Sequence, residues 1–229
     1  MIVFLLILSV LAGVFLGKCF GSNTKLAKNL LIFSAGFLIT ICLNEVFPEV
    51  YHSENHNIGI WVIGGVLLQL LLENLTKGFE HGHFHHHSEH GILPIALMLG
   101  MFIHAFIEGI PLGNETDIFS PYLMAILLHN LPISFILGAF LIKNGKFSGT
   151  SWLIIAIFSL ASPLGMLLGN FIDAEVKSYF LALVGGIFLH ISSVIIFESN
   201  KNHNIDWQKI SMVILGVVVA IAMHSFHHH

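Results

Sequence analysis

The sequence predicts an all-α integral membrane protein, a bundle of eight transmembrane helices with both termini on the outer side. Three observations carry that prediction. Charged residues make up 10% of the chain and hydrophobic ones 55%, with a mean hydropathy of +0.87, whereas soluble domains carry about 25% charged residues. Apolar runs long enough to cross a bilayer core, about 20 residues for roughly 30 Å, follow one another almost from end to end. The lysines fall in alternate loops. Residues 1–229 therefore read as a single transmembrane domain.

The apolar runs lie near residues 1–17, 27–47, 58–76, 92–113, 119–142, 151–171, 177–198 and 208–226. The first has no basic residues ahead of it, and Lys18 follows the run, so it reads as a true span rather than a leader. A lipoprotein signal at Cys19 fails because Lys18 stands where a small residue is needed. Cys19 and Cys42 are too few for a disulfide framework and read as small core residues. Polar turn residues separate the runs: Gly21-Ser22-Asn23, Asn55-His56-Asn57, a histidine tract, Asn114-Glu115-Thr116-Asp117, Lys143-Asn144-Gly145-Lys146, Asp173-Ala174-Glu175 and Ser199-Asn200-Lys201-Asn202.

The chain has nine lysines and no arginine. Lys18, Lys25, Lys28, Lys77, Lys143, Lys146, Lys201 and Lys209 fall at the first, third, fifth and seventh connections, and Lys177 alone falls on the other side. Basic residues in short loops stay in the cytoplasm, which puts both termini outside. Glu49, Glu54, Glu115, Asp117, Asp173 and Glu175 face out with them, an acidic mouth that concentrates cations.

An ionisable group within a membrane span costs about 2.5 to 3.5 kcal/mol on insertion scales, so each is a candidate for function. The fourth span places His104 and Glu108 four residues apart, one turn above the other on one helical face. An imidazole nitrogen and a carboxylate oxygen suit zinc and other first-row divalent ions. The fifth span adds His129 and Asn130, with Pro132 predicting a kink at the carbonyl of Leu128. Pro111 should disturb the end of the fourth span. The second span ends with Asn44, Glu45 and Glu49; Glu45 sits inside the helix end, and Glu49 reads as a solvated carboxylate at the outer interface. A bland alternative for His104 and Glu108 is a buried pair that ties helices together. His190, alone on an apolar helix, reads more readily as an interhelical hydrogen bonder than as a ligand, and His224 as interfacial. The terminal His227-His228-His229 is native or the remnant of a tag and receives no role.

Residues 78–91 form a histidine-rich loop on the inner side, with His81, His83, His85, His86, His87 and His90 interrupted by glycine, phenylalanine and serine. This composition suits a weak, exchangeable metal acceptor; a passive solvated linker is the alternative. Acid should empty it, because imidazolium does not bind metal.

Taken together, His104 to Gly109, His129 to Pro132, the short acidic loop between them and the histidine-rich loop ahead resemble the fourth and fifth helices of the ZIP (Zrt-/Irt-like) family. Ser34 through Glu49 resembles its second helix, and Gly186 through Ser193 its seventh. The resemblance implies eight helices with both termini outside, a homodimer, and movement of divalent metal toward the cytoplasm. Carried over by position, it implies one transport site made of Glu45, His104, Glu108 and His129. The pattern departs at Ala105, Ile133 and Ile195, where the family usually has polar or acidic residues, with Asn130 alone retained as a polar candidate. A single-metal path follows.

The expected function is uptake of zinc, with iron(II) or manganese(II) as alternatives, by alternating access between helical groups. The metal is substrate rather than cofactor, and no enzymatic activity or nucleic-acid partner is expected. The expected location is the cell membrane of a prokaryote, with the lipid bilayer as surroundings. The rival from another class is an intramembrane zinc hydrolase, but His104 and Glu108 stand in the order H-x-x-x-E and HExxH is absent. Haem ligation by His104, His129 and His190 leaves Glu108 without a purpose.

Overall fold

The computed structural model describes residues 1–52, 57–76, 95–141, 147–198 and 206–227. These form α1 (Ile2–Phe20), α2 (Thr24–Ile41), a π-helical turn (Cys42–Val46) leading into α3 (Phe47–Tyr51), α4 (Ile58–Thr76), α5 (Ile95–Gly109) with a 3-10 turn (Ile110–Leu112), α6 (Pro121–Leu141), α7 (Gly149–Gly169), α8 (Ala174–Glu198) and α9 (Trp207–His227). With α2 through α3 counted as one span, eight helices are long and apolar enough to cross a membrane. The expected spans are all present, shifted by a few residues at their ends. The histidine-rich loop at 78–91 and its six histidines lie wholly within 77–94, outside the described residues.

Helix faces follow from the spacing of side chains. On α1, Leu6, Val10, Gly13, Val14 and Gly17 are buried, while Phe4, Leu8, Leu11 and Phe15 are exposed on the other side. The outward faces of α4, α7 and α9 are equally apolar, with Trp61, Leu67 and Leu71, Leu153, Leu164 and Leu167, and Ile214, Val218 and Ile221 all exposed. Such a surface is stable against lipid tails and not against water. Cys19 is exposed, a correction to its expected place in the core: Gly17 and Gly21 carry the packed side of α1, and Cys19 falls away from it.

Four helix pairs dominate the packing, α1 with α6, α2 with α9, α4 with α8 and α5 with α7. Lipid offers apolar contact as good as leucine does, so helices associate in a membrane where small residues let backbones close up. A Cβ on Gly165 would stand 1.9 Å from the Phe106 carbonyl oxygen of α5, and one on Gly186 2.0 Å from that of Val62 in α4. The same holds for Gly17 of α1 against Phe135, at 2.1 Å. The most buried helices are α2, α6 and α8, and α9 is the least.

The prolines act differently. Pro132 is carried inside α6, which continues through it to Leu141. Pro111 converts the end of α5 to a 3-10 turn, and Asn114 then takes φ 66, a left-handed conformation that asparagine tolerates. Ahead of Pro48, which donates no hydrogen bond and crowds the carbonyl of Asn44, the second span widens into its π turn. There the Phe47 N–H reaches back five residues to the Cys42 carbonyl. Asn44 and Glu45 sit in that bulge.

Contacts sort the connections into two ends. At one, the Lys18 ammonium lies 5.8 Å from the Phe147 ring, Lys28 pairs with Asp206 at 3.9 Å, and Gln208 donates to Asn29 at 3.2 Å. At the other, the Asn114 N–H donates to Asn170 Oδ1 at 2.7 Å, and Glu49 lies within electrostatic range of Glu45 and Glu115. The lone exception in the lysine pattern, Lys177, sits at this acidic end, where its ammonium donates to the Gly113 carbonyl at 2.9 Å.

Candidate metal centre

Between these ends, α5 and α6 bring together His104, Glu108 and His129. One ligand atom from each lies within 4.8 Å of the others, and the residues are 2%, 0% and 1% exposed. His104 Nε2 is 2.8 Å from Glu108 Oε1, and the two imidazole rings meet edge to face at 5.8 Å between centroids. Zinc bonds of about 2.0 to 2.1 Å put tetrahedral ligand atoms roughly 3.4 Å apart, so the cluster needs adjustments of about an ångström to enclose an ion.

Burial makes the arrangement informative. A carboxylate out of water costs several kcal/mol unless it is paired and hydrogen-bonded. Yet Glu108 Oε2 has no hydrogen-bond donor among the described residues, and Oε1 meets only His104 Nε2 there. Two imidazoles and a carboxylate around one point offer the donor chemistry that could hold a cation.

Three neighbours hold the ligands in place. Gln69 of α4, fully buried, meets His104 Nδ1 at 3.1 Å through its side-chain oxygen. Accepting from Nδ1–H, it leaves the Nε2 lone pair toward Glu108, the usual way an outer residue sets the tautomer of a metal-binding histidine. The Tyr122 hydroxyl donates to the Glu108 carbonyl at 2.8 Å. Phe188 of α8, fully buried, packs against His129 at 6.3 Å and Tyr122 at 6.1 Å.

The remaining candidates fall elsewhere. Glu45, expected as a fourth ligand from the resemblance, is 20% exposed and paired with His224 of α9, which is 35% exposed. His224 thus joins a carboxylate rather than only an interface. Asn44 and Glu49 are exposed, and Asn130 is buried with its Oδ1 lacking a donor among the described residues. His190 is an interhelical bonder, as expected, and its partner is Glu73 of α4 at 2.9 Å. Reading the sequence missed Gln69, Glu73 and Tyr122. Gln69 and Glu73 carried a usable signal, two polar residues four apart in an apolar span.

A bundle of eight apolar helices around a buried His-Glu-His cluster defines an integral membrane protein with a metal-competent core. Comparison with known proteins carries the assignment further: the chain belongs to the ZIP zinc transporter family, whose family model matches residues 80–224. It is similar to protein zntD of Dictyostelium discoideum, 32% identical over 149 residues, which is 56% of this chain and 22% of zntD. It is also similar to the zinc transporter ZIP9 of Micropogonias undulatus, 24% identical over 214 residues, 79% of this chain and 68% of ZIP9. The chain thus spans about a fifth of the first relative's length and about two thirds of the second's. Transporters, not hydrolases, are what this family comprises.

Proposed function

We propose that this protein carries zinc or a similar divalent ion across the membrane toward the cytoplasm, with His104, Glu108 and His129 replacing the hydration shell at mid-membrane. The observation that supports it most is the burial of these three ligands together, with Glu108 Oε2 lacking a hydrogen-bond donor among the described residues. Family membership points the same way. The acidic end would be the outer mouth, collecting cations near Glu49 and Glu115, and the lysine end would face the cytoplasm. Both termini would then lie outside.

Glu45 would act from the mouth, exchanging His224 for the arriving ion. Alternating access would come from rocking one helical group against another around the fixed site. The histidine-rich loop would receive emerging ions. The absence of polar side chains at Ala105 and Ile133 supports a single central ion rather than two. A homodimer in the plasma membrane completes the proposal.

The test is zinc influx into metal-free proteoliposomes at matched reconstitution, comparing wild type with His104→Ala and Glu108→Ala. Saturable influx lost in both variants is the expected result. Tight zinc binding without influx of any divalent ion would overturn the carrier reading and restore the hydrolase.

A further inference from the structure

At the lysine end, α2 and α9 begin side by side. Gln208 donates to Asn29 near their first turns, and Glu45 meets His224 near the far ends of the two spans, so they run parallel. Parallel neighbours bring the positive poles of both macrodipoles to one face. Acidic residues in the first turns would suit such poles, yet neither first turn has one. Lys25 and Lys209 stand there instead, with Lys28 a turn further along α2. Asp206, immediately before α9, has both carboxylate oxygens engaged: Oδ1 takes the Lys209 backbone N–H at 3.1 Å, and Oδ2 lies 3.9 Å from Lys28. Lys209 is 5% exposed, and its ammonium, within electrostatic range of Lys28 and Asp206, has no hydrogen-bond partner among the described residues.

Orientation in the membrane accounts for surface lysines at this end, but not for a buried ammonium left unpaired, which is costly. We propose that the seam between the starts of α2 and α9 binds the phosphate group of an anionic phospholipid, with Lys28 and Lys209 as its cations. Lys28 is half exposed and meets the phosphate at the surface; Lys209, on a flexible four-carbon stem, extends from the seam to reach it. The positive poles of the two helices add to the attraction. The outward side of α9 points to a lipid as the source of the phosphate. Trp207 is 73% exposed at the helix start, and Ile210, Ile214 and Val218, also exposed, continue from it at spacings of three and four residues. That spacing keeps them on one face, an apolar bed for an acyl chain beside a headgroup. The site is separate from the central cluster and does not rest on the carrier reading.

Thermal melting of the delipidated full chain in detergent, followed by tryptophan fluorescence, tests the site with dioleoyl phosphatidylglycerol, dioleoyl phosphatidylcholine or inorganic phosphate added. Phosphatidylglycerol, at about a hundred times its dissociation constant, should raise the wild-type midpoint by roughly 5 °C, and the other two by much less. The rise should fall by about half in Lys209→Met and in Lys28→Gln, as roughly tenfold weaker binding implies. It should stay whole in Lys18→Gln, which removes a lysine at the same end but beside Phe147 rather than in the seam. Without lipid, Lys209→Met should melt no lower than wild type, because it removes a buried unpaired charge. No rise with phosphatidylglycerol, an equal rise with phosphatidylcholine, or an equal loss in Lys18→Gln overturns the site. So does a lower midpoint for lipid-free Lys209→Met, which would make that lysine a structural partner. A rise from inorganic phosphate alone, lost in Lys209→Met, would hand the same cations to a free anion and overturn the lipid.

Discussion

At the centre of the bundle His104 and Glu108 meet across one turn of one helix, whereas at the acidic end Glu45 meets His224 across 179 residues of chain. The two groupings use the same chemistry in different surroundings. The central one is fully buried, joined by a second histidine, and leaves Glu108 Oε2 without a hydrogen-bond donor among the described residues. The outer one is partly exposed and sets one carboxylate against one imidazole. The difference teaches that donor type alone does not make a metal site. What counts is coordination capacity left over in a place where leaving it unused is costly.

The sharpest way to break this comparison is Glu108→Gln, which keeps the shape and removes the charge. Zinc affinity should fall on the order of 100-fold, at or beyond the upper end of what outer residues contribute, measured by competition with a chelating dye. A near-normal affinity would strip the central cluster of its distinction. Acidification comes next. Protons compete with metal for imidazole, so the affinity should drop roughly tenfold or more on acidification, with two central histidines as ligands. A flat profile from pH 7.5 to about 5.5 would mean that His104 and His129 are not ligands.

Gln69→Leu sharpens the contrast by leaving every ligand in place while removing the acceptor that orients His104. A loss of roughly tenfold in zinc affinity is expected, and Gln69→Glu should restore most of it. The smallest effect belongs to Glu45→Gln. A partly exposed pair is worth up to about 1 kcal/mol, so equilibrium affinity should change by less than about fivefold. If the loss instead matches that of Glu108→Gln, Glu45 belongs to the central site and the two groupings are one.

Much of this was legible in the residues themselves. The spans are visible because a bilayer demands an unbroken apolar run of known length from each helix. His104 and Glu108 are visible because a helix brings residues four apart onto one face, and His129 because an ionisable group in a span is costly. Lysine spacing separated the two ends, which the contacts of Lys18 with Phe147 and of Lys28 with Asp206 bring together in space. Pro48 signalled an irregular helix end, but not that the second span would widen into a π turn.

By itself, then, the sequence determined the class of protein, the number and order of its spans, and the local half of the metal cluster, since each depends on solvent, helix periodicity or neighbours in the chain. Tertiary structure alone decided which helices pair through glycines, that Gln69 orients His104, and that Glu73 reaches His190 rather than lipid. It also decided that Glu45 closes on His224. Those outcomes depend on how each helix is rotated about its axis. That rotation is set by contacts between residues far apart in the chain, which no local pattern encodes.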